Sequence, residues 1–147
     1  MLVLSADAMR SIQDRLYRKF STGASVIILE MGSSYGSMVF ELLDKKSKLT
    51  PESEPLSLRG ISQVLFKEGF GKVSVSGEID AGRTLSFLIN SCAFCGSKLV
   101  VNDCNFLRGI VAALAGGLFQ KQYKSSVTCS TSQSTREHCC KIDLTTQ

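Results

Sequence analysis

The sequence predicts an α+β fold in which N-terminal helices pack on an antiparallel sheet around a buried central helix. Three observations lead to this prediction. Apolar residues recur at helical spacing through the first half, two alternating stretches form hairpins in the second half, and a helix between them is apolar on nearly every side. Helices that precede hairpins, rather than alternating with single strands, are typical of α+β domains. We expect one domain over residues 1–147.

The first half begins with two helices in succession. Ser5 is a candidate N-cap for a helix that starts at Ala6, and Gly23 marks a break or bend. Helical spacing resumes from Ala24 to about Lys46. The start of that second segment, residues 24–29, is also compatible with a strand, and periodicity alone leaves both open.

Two glycines stand four residues apart in the second helix, at Gly32 and Gly36. On a helix they share a face, which indicates close packing within the chain or between subunits, with a ligand contact as the alternative. A polar, proline-bearing loop follows. A third helix is predicted from Leu56 to Glu68, and Gly69 to Gly71 end it.

The second half contains two predicted hairpins. In the first, alternating residues from Val73 to Ile79 form one strand, Asp80 to Arg83 form the turn, and Leu85 to Ile89 form the other strand. In the second, strands over Tyr123–Cys129 and Cys140–Leu144 are joined by a polar loop.

The predicted central helix runs from about Cys104 to Gln120, with Asn102 or Asp103 as its cap. Apolar and small residues cover its whole circumference, which is typical of a helix buried on several sides. Gly116 and Gly117 lower its intrinsic helix propensity, and a close backbone neighbour there is the expected compensation.

Composition and charge restrict the function classes. The chain is 44% hydrophobic and 20% charged, with a net charge of +4, which is typical of a globular protein. Scattered basic residues and the absence of Trp argue against direct nucleic-acid binding. The longest apolar run, Phe106–Phe119, is too short for a membrane span, and no signal peptide is visible. We therefore expect a cytoplasmic protein.

Six cysteines in a chain of this kind indicate metal ligands or buried thiols rather than disulfides. Cys92 and Cys95 form a Cys-x-x-Cys pair, Cys104 starts the central helix, and Cys129 and Cys140 stand at the loop end of the second hairpin. These stretches converge on one region, so a structural zinc site is the leading hypothesis. Buried thiols and a Cys-x-x-Cys redox pair are the alternatives.

Two further residues near this region are weaker candidates. Cys139 neighbours Cys140 on a predicted strand, where adjacent side chains point to opposite faces, so we place it away from the metal. It remains an alternative to Cys140. His138 is the single histidine and a reserve ligand.

Three segments together resemble the 4-vinyl reductase domain family. They are Gly69-Phe-Gly-Lys-Val-Ser-Val, then Cys104-Asn-Phe-Leu-Arg-Gly-Ile-Val-Ala-Ala-Leu-Ala-Gly116, then Cys129 with Cys140-Lys-Ile. The Cys–helix–Gly segment is the most specific of them. Members of this family are small hydrocarbon-binding modules, related in fold to subunits of the TRAPP tethering complex and more distantly to haem nitric-oxide-binding domains.

The resemblance implies a zinc site held by Cys104, Cys129 and Cys140 together with a glutamate. The position of that glutamate is Ser126 here. The family's glycine between the last two cysteines is also missing, and the loop between them is longer. We therefore expect Cys92, or alternatively Cys95, as the fourth ligand.

The resemblance also implies a small hydrophobic ligand between the central helix and the sheet. The candidate lining residues are Phe87, Ile89, Phe106, Ile110, Val111 and Leu114, and the same residues are compatible with an ordinary core. The second hypothesis is a homodimeric assembly module that associates through Gly32 and Gly36. No phosphate-binding loop or catalytic triad is visible, so we expect no enzymatic activity. Any regulatory role would act through a partner.

Overall fold

The fold is taken from a computed structural model of the chain. It describes residues 5–49, 57–78, 80–94, 104–131, 133–134 and 136–147. Within these ranges four α-helices and four strands share one hydrophobic core. The architecture is α+β with a four-stranded antiparallel sheet, as the sequence predicts.

The N-terminal helices have nearly the predicted bounds. α1 spans Ala6–Phe20, a single 3-10 turn covers Ser21–Gly23, and α2 spans Ala24–Leu49. The Ser5 hydroxyl accepts a hydrogen bond from the Ala8 amide at 3.2 Å, which confirms the predicted cap. The strand alternative for the start of α2 is excluded, because that segment continues directly into the helix.

The remaining two helices flank the first hairpin in the chain. α3 spans Leu58–Lys67, with Ser57 as its N-cap, and α4 spans Asn105–Phe119. Cys104 occupies the N-cap position of α4, and its side chain makes no capping hydrogen bond. The predicted caps Asn102 and Asp103 lie outside the described residues, as does the predicted start of α3 at Leu56.

The sheet joins the two hairpins edge to edge. Its strands are β1 (Lys72–Gly77), β2 (Thr84–Asn90), β3 (Tyr123–Thr131) and β4 (His138–Thr146), in the order β1-β2-β4-β3. Both predicted hairpins are confirmed. The strands of the second are longer than predicted, because their polar ends still pair across the ladder. The predicted end of β1 at Ile79 lies outside the described residues.

α4 is the centre of the fold, since it contacts α2 as well as β3 and β4. Gly32 and Gly36 of α2 face its backbone: a methyl group on Gly36 would lie 2.7 Å from the Ile110 carbonyl oxygen. Gly109 of α4 returns the contact, with Ser33 N at 2.7 Å from a methyl group built on it. The glycines therefore serve close packing within the chain, one of the two predicted packing roles. The prediction that they form a dimer contact is wrong.

One helical stretch bears on the expectation about membrane spans. Asp7–Leu49 contains a window with a mean hydropathy of 1.3 that is long and apolar enough to cross a bilayer, judged by length and composition alone. The sequence argument considered uninterrupted apolar runs, whereas this window includes glycine and serine. Only 17% of the window is buried. Because Gly32 and Gly36 lie against α4, a span would have to separate α2 from the core.

Candidate functional site

Four cysteines from four different elements meet at one end of the sheet. Cys129 on β3 and Cys140 on β4 are directly opposite each other in the strand register. Cys104 lies at the N-terminus of α4, and Cys92 lies two residues beyond the end of β2. These are the four residues that the sequence analysis names as its first set of metal ligands.

The sulfur atoms form a compact cluster. The Sγ–Sγ distances are 3.2 Å for Cys129–Cys140, 3.4 Å for Cys92–Cys104 and 3.5 Å for Cys104–Cys129. The Cys104 and Cys140 sulfurs are in contact as a disulfide pair, with 7.1 Å between the Cα atoms. Disulfides usually join Cα atoms about 4.4–6.8 Å apart, so this backbone separation is larger than that range.

Backbone hydrogen bonds hold the turn that carries Cys92. The Cys92 amide donates to the His138 carbonyl at 3.0 Å, and the Ala93 amide donates to the Phe70 carbonyl at 3.3 Å. The Arg10 guanidinium donates to the Ala93 carbonyl. The turn is thereby attached to the start of β4, to the segment just before β1 and to α1. These contacts hold Cys92 next to Cys104 at the N-terminus of α4.

The donor set suits a tetrahedral metal ion. With Zn–S bonds of about 2.3 Å, a tetrahedral site places its sulfurs roughly 3.8 Å apart. Three pairs of this cluster approach that value at 3.2–3.5 Å, whereas the Cys104–Cys140 pair is in bonding contact. The Cys92, Cys104 and Cys140 sulfurs all lie within 4.8 Å of one another. Cys92, Cys104 and Cys140 are buried, and Cys129 is half-buried. The positive end of the α4 dipole favours thiolate charge at Cys104. A zinc ion and a Cys104–Cys140 disulfide are therefore the two chemistries that this cluster can support.

The other sequence candidates lie away from the cluster or outside the described residues. The Cys139 sulfur is 3.3 Å from the Asn90 amide oxygen, its neighbour across the ladder. His138 Nδ1 contacts the Thr131 hydroxyl at 3.1 Å. Ser126 is exposed and alternates with Cys129 across β3, so it faces away from the sulfurs. Cys95 lies outside the described residues.

An apolar cavity of about 150 Å³ lies between α2, α3 and α4. Its lining residues are Tyr35, Val39, Leu42, Leu43, Val64, Leu65, Glu68, Phe70, Ile110 and Leu114. Only the Tyr35 hydroxyl and the Glu68 carboxylate are polar among these side chains. The cavity is comparable in size to engineered cavities that bind benzene.

The predicted ligand-contacting residues are distributed between this cavity and the core. Ile110 and Leu114 line the cavity from α4. Phe87, Ile89 and Val111 are fully buried in the core. Phe106 is also buried and borders a separate open groove between α1 and α2. Their role as ligand contacts stays a prediction, and the geometry favours the helical side of α4 over its sheet side.

The contribution of α2 and α3 to this cavity was not predicted from the sequence. Val64 and Leu65 belong to the apolar stripe of α3, which reads equally well as core. The signal that was available is Glu68, a carboxylate at the C-terminal end of a helix, where the helix dipole disfavours negative charge.

Of the two polar groups of the cavity, the Glu68 carboxylate acts on the Tyr35 hydroxyl. Burial raises the pKa of the Tyr35 hydroxyl above 10.0, and the nearby Glu68 carboxylate raises it further. The Tyr35 hydroxyl is therefore neutral at physiological pH. In the described part of the chain, none of the ion pairs includes Glu68.

Comparison with solved structures identifies the fold. The phenol-responsive sensory domain of the transcription activator PoxR, solved with phenol, superposes with a TM-score of 0.69 at 16% identity, over 99% of this chain and 76% of that one. A trafficking protein particle complex subunit 3 from Naegleria fowleri, covalently bound to palmitic acid, gives 0.57 at 10% identity, over 95% and 92%. The three chains share a fold.

No family model and no curated protein matches the sequence. The resemblance to the 4-vinyl reductase domain family therefore stays a prediction, while the related fold is shown. A structure from work on the molecular mechanism of H-NOX activation also superposes, with a TM-score of 0.46 at 12% identity, over 96% of this chain and 72% of that one.

Proposed function

We propose that this chain is a non-catalytic binding domain for a small hydrophobic ligand. The cavity between α2, α3 and α4 carries this proposal, because it is partly enclosed and its lining is apolar except for the Tyr35 hydroxyl and the Glu68 carboxylate. Such a combination of an apolar wall and few polar groups is typical of small-molecule sites. The two structural neighbours support the proposal by analogy, since one was solved with phenol and the other with palmitic acid.

The test is ligand-observed NMR with toluene, phenol and benzyl alcohol, which match the size of the cavity. Val39→Phe should fill the cavity and abolish saturation transfer to all three probes. Ser37→Phe is the matched control, because Ser37 is exposed two residues away on the same helix. If wild type binds none of the probes, or if Val39→Phe binds them as well as wild type does, the cavity is not a ligand site.

We propose zinc as the ion that Cys92, Cys104, Cys129 and Cys140 hold. The sulfur separations, the burial and the helix N-terminus support this choice. When bound, the ion would crosslink β3, β4, α4 and the turn after β2, and its binding energy would add to the folding energy. The proposal depends on a reducing, cytoplasmic location, which stays a prediction of its own.

Elemental analysis of untagged protein, combined with a thiol count before and after chelation, distinguishes the two chemistries. About one zinc per chain, with thiols released on chelation, supports the metal site. Intact mass spectrometry after alkylation reports a disulfide as two unmodified cysteines. A metal-free protein whose Cys104 and Cys140 resist alkylation would establish the disulfide instead.

The second candidate function is homodimeric assembly, and the outer face of α2 favours it. We define this outer face by Ile27, Met31, Met38, Leu42 and Leu49, of which Leu42 also borders the cavity. Four of these side chains, all except Met31, are 40–83% exposed. They recur at helical spacing over the length of α2, on a different side of the helix from Gly32 and Gly36. A continuous apolar face of this kind is typical of an interaction surface.

A second copy of this chain fits the outer face. In an antiparallel pair of α2 helices centred on Met38, Ile27 would lie opposite Leu49 of the second copy. Glu30 and Lys45 lie along the same edge of the face, so each would approach its opposite charge on the other copy. Sedimentation over a concentration series tests this: a monomer at every concentration contradicts it, and so does association only in the presence of lipid vesicles.

A further inference from the structure

We propose that the cavity selects a small cationic amine, that is, a protonated amino group carried on an apolar body of about the size of benzene. This inference rests on the proposed ligand-binding role of the same cavity and adds the chemical class of the ligand. Its basis is the position of Glu68, whose carboxylate is among the lining groups of an otherwise apolar space.

Negative charge is concentrated at this side of the cavity. Glu68 is the C-cap of α3, so its carboxylate lies at the negative end of that helix dipole. In the described part of the chain no residue forms an ion pair with it, and the neighbouring cations are exposed: Lys67 in the last turn of α3, and Lys45 and Lys46 of α2. Protein charge thus leaves the carboxylate without a cationic partner, which a ligand ammonium would provide.

The apolar walls strengthen this preference. A charge pair beside a cavity of low polarity attracts more strongly than the same pair in water. The rings of Tyr35 and Phe70 both line the cavity, and aromatic rings attract cations by their negative faces. The neutral Tyr35 hydroxyl can donate a hydrogen bond to the Glu68 carboxylate or accept one from the ligand ammonium. Because it carries no charge, it does not repel the ammonium.

A ligand with negative charge is disfavoured by the same groups. A carboxylate ligand would meet the Glu68 carboxylate at the negative end of the α3 dipole. A neutral aromatic such as toluene would gain the apolar contact and no more. The arrangement therefore predicts the order amine, then neutral isostere, then acid, for molecules of one shape.

The experiment compares benzylamine, benzyl alcohol, toluene and benzoate on the full chain by titration calorimetry at pH 7. We expect benzylamine to bind about tenfold more tightly than benzyl alcohol, since a hydrogen bond to a charged group contributes more than a neutral one. Glu68→Gln should remove that difference and leave toluene binding unchanged. Glu41→Gln, at an exposed position of α2 outside the cavity lining, should leave all four affinities unchanged.

The possible outcomes separate this inference from the proposed function. If the neutral probes bind as tightly as benzylamine, or if Glu68→Gln keeps the amine preference, the cationic class is wrong and the cavity remains a ligand site. If none of the four probes binds, the ligand-binding function itself fails. Thermal unfolding of Glu68→Gln, recorded alongside, verifies that the variant is folded.

Discussion

α2 and α4 are both apolar helices, yet they occupy different environments. α4 is covered by α2 and by two strands, and eight of its fifteen residues are buried. α2 has twenty-six residues, and four of them are buried. Its inner face is made narrow by glycines, while its outer face keeps large apolar side chains in solvent. The two helices therefore have different roles: α4 forms the core, and α2 closes the core on one side while exposing a surface on the other.

The largest expected effect on stability comes from the cysteine cluster at the N-terminus of α4. Cys104→Ser should lower the free energy of unfolding by more than about 3 kcal/mol, because binding free energy for a structural metal becomes folding free energy. Cys139→Ser is the matched control on the other side of β4 and should change it by less than about 1 kcal/mol. Chemical denaturation of both variants provides the measurement, and equal values for the two would contradict a structural cluster.

The inner face of α2 should respond strongly to one added methyl group. Gly36→Ala should destabilise the protein by about 1–3 kcal/mol, because the new carbon would overlap the α4 backbone. Gly23→Ala should be neutral or stabilising by up to about 1 kcal/mol, since no atom lies within 4 Å of the added carbon. Thermal and urea unfolding compare them. A stabilised Gly36→Ala variant would mean that helix propensity dominates and that α2 and α4 are not in close contact.

Substitutions on the outer face of α2 should change the dimerisation Kd rather than the stability of the fold. Glu30→Lys should weaken dimerisation by two- to fivefold in Kd, corresponding to about 0.5–1 kcal/mol for a solvent-exposed charge pair. Adding Lys45→Glu should restore it by re-forming the pair with reversed signs. Sedimentation equilibrium measures the Kd, and circular dichroism reports that helicity is unchanged. A double variant no stronger than the single one would exclude the antiparallel pairing.

The smallest effect concerns the Tyr35 hydroxyl in the cavity between α2, α3 and α4. Burial and the Glu68 carboxylate raise the pKa of Tyr35, so its neutral form is favoured by folding. The unfolded chain then releases this proton more readily, and the contribution of Tyr35 to stability, complete below pH 10, falls as the pH rises above 10. Glu68→Gln should lower the pKa of Tyr35 in an ultraviolet titration. An unchanged titration would place the carboxylate too far from the hydroxyl to act on it.

The sequence predicts most of the secondary structure because the local signals agree with the tertiary ones. Ser5 caps α1 as predicted, both hairpins pair as predicted, and α4 is buried because it is apolar all round. The first-choice cysteines meet because hairpin pairing and the position of Cys104 at a helix start are local features. Cys92 is different, since it reaches the cluster through backbone hydrogen bonds to distant residues.

Other features could not be predicted from local patterns. The pairing of β2 with β4 depends on which edges of the two hairpins meet, which neither hairpin encodes alone. The two sides of α2 also look alike in hydropathy. Only the contact of Gly32 and Gly36 with α4 shows which side is inner. The cavity lies on the helical side of α4 rather than on its sheet side, where Phe87 and Ile89 of β2 and Val111 of α4 are fully buried.

The sequence by itself determined the α+β class, the start of α1 and the two hairpins, and it named four cysteines that meet at one end of the sheet. These follow from periodicity, capping and spacing, which act over a few residues. Tertiary structure decided which glycine face is buried, where space remains among the apolar side chains, and that Glu68 borders this space. Those features depend on how whole elements pack, and packing is a relation between surfaces that lie far apart in the chain.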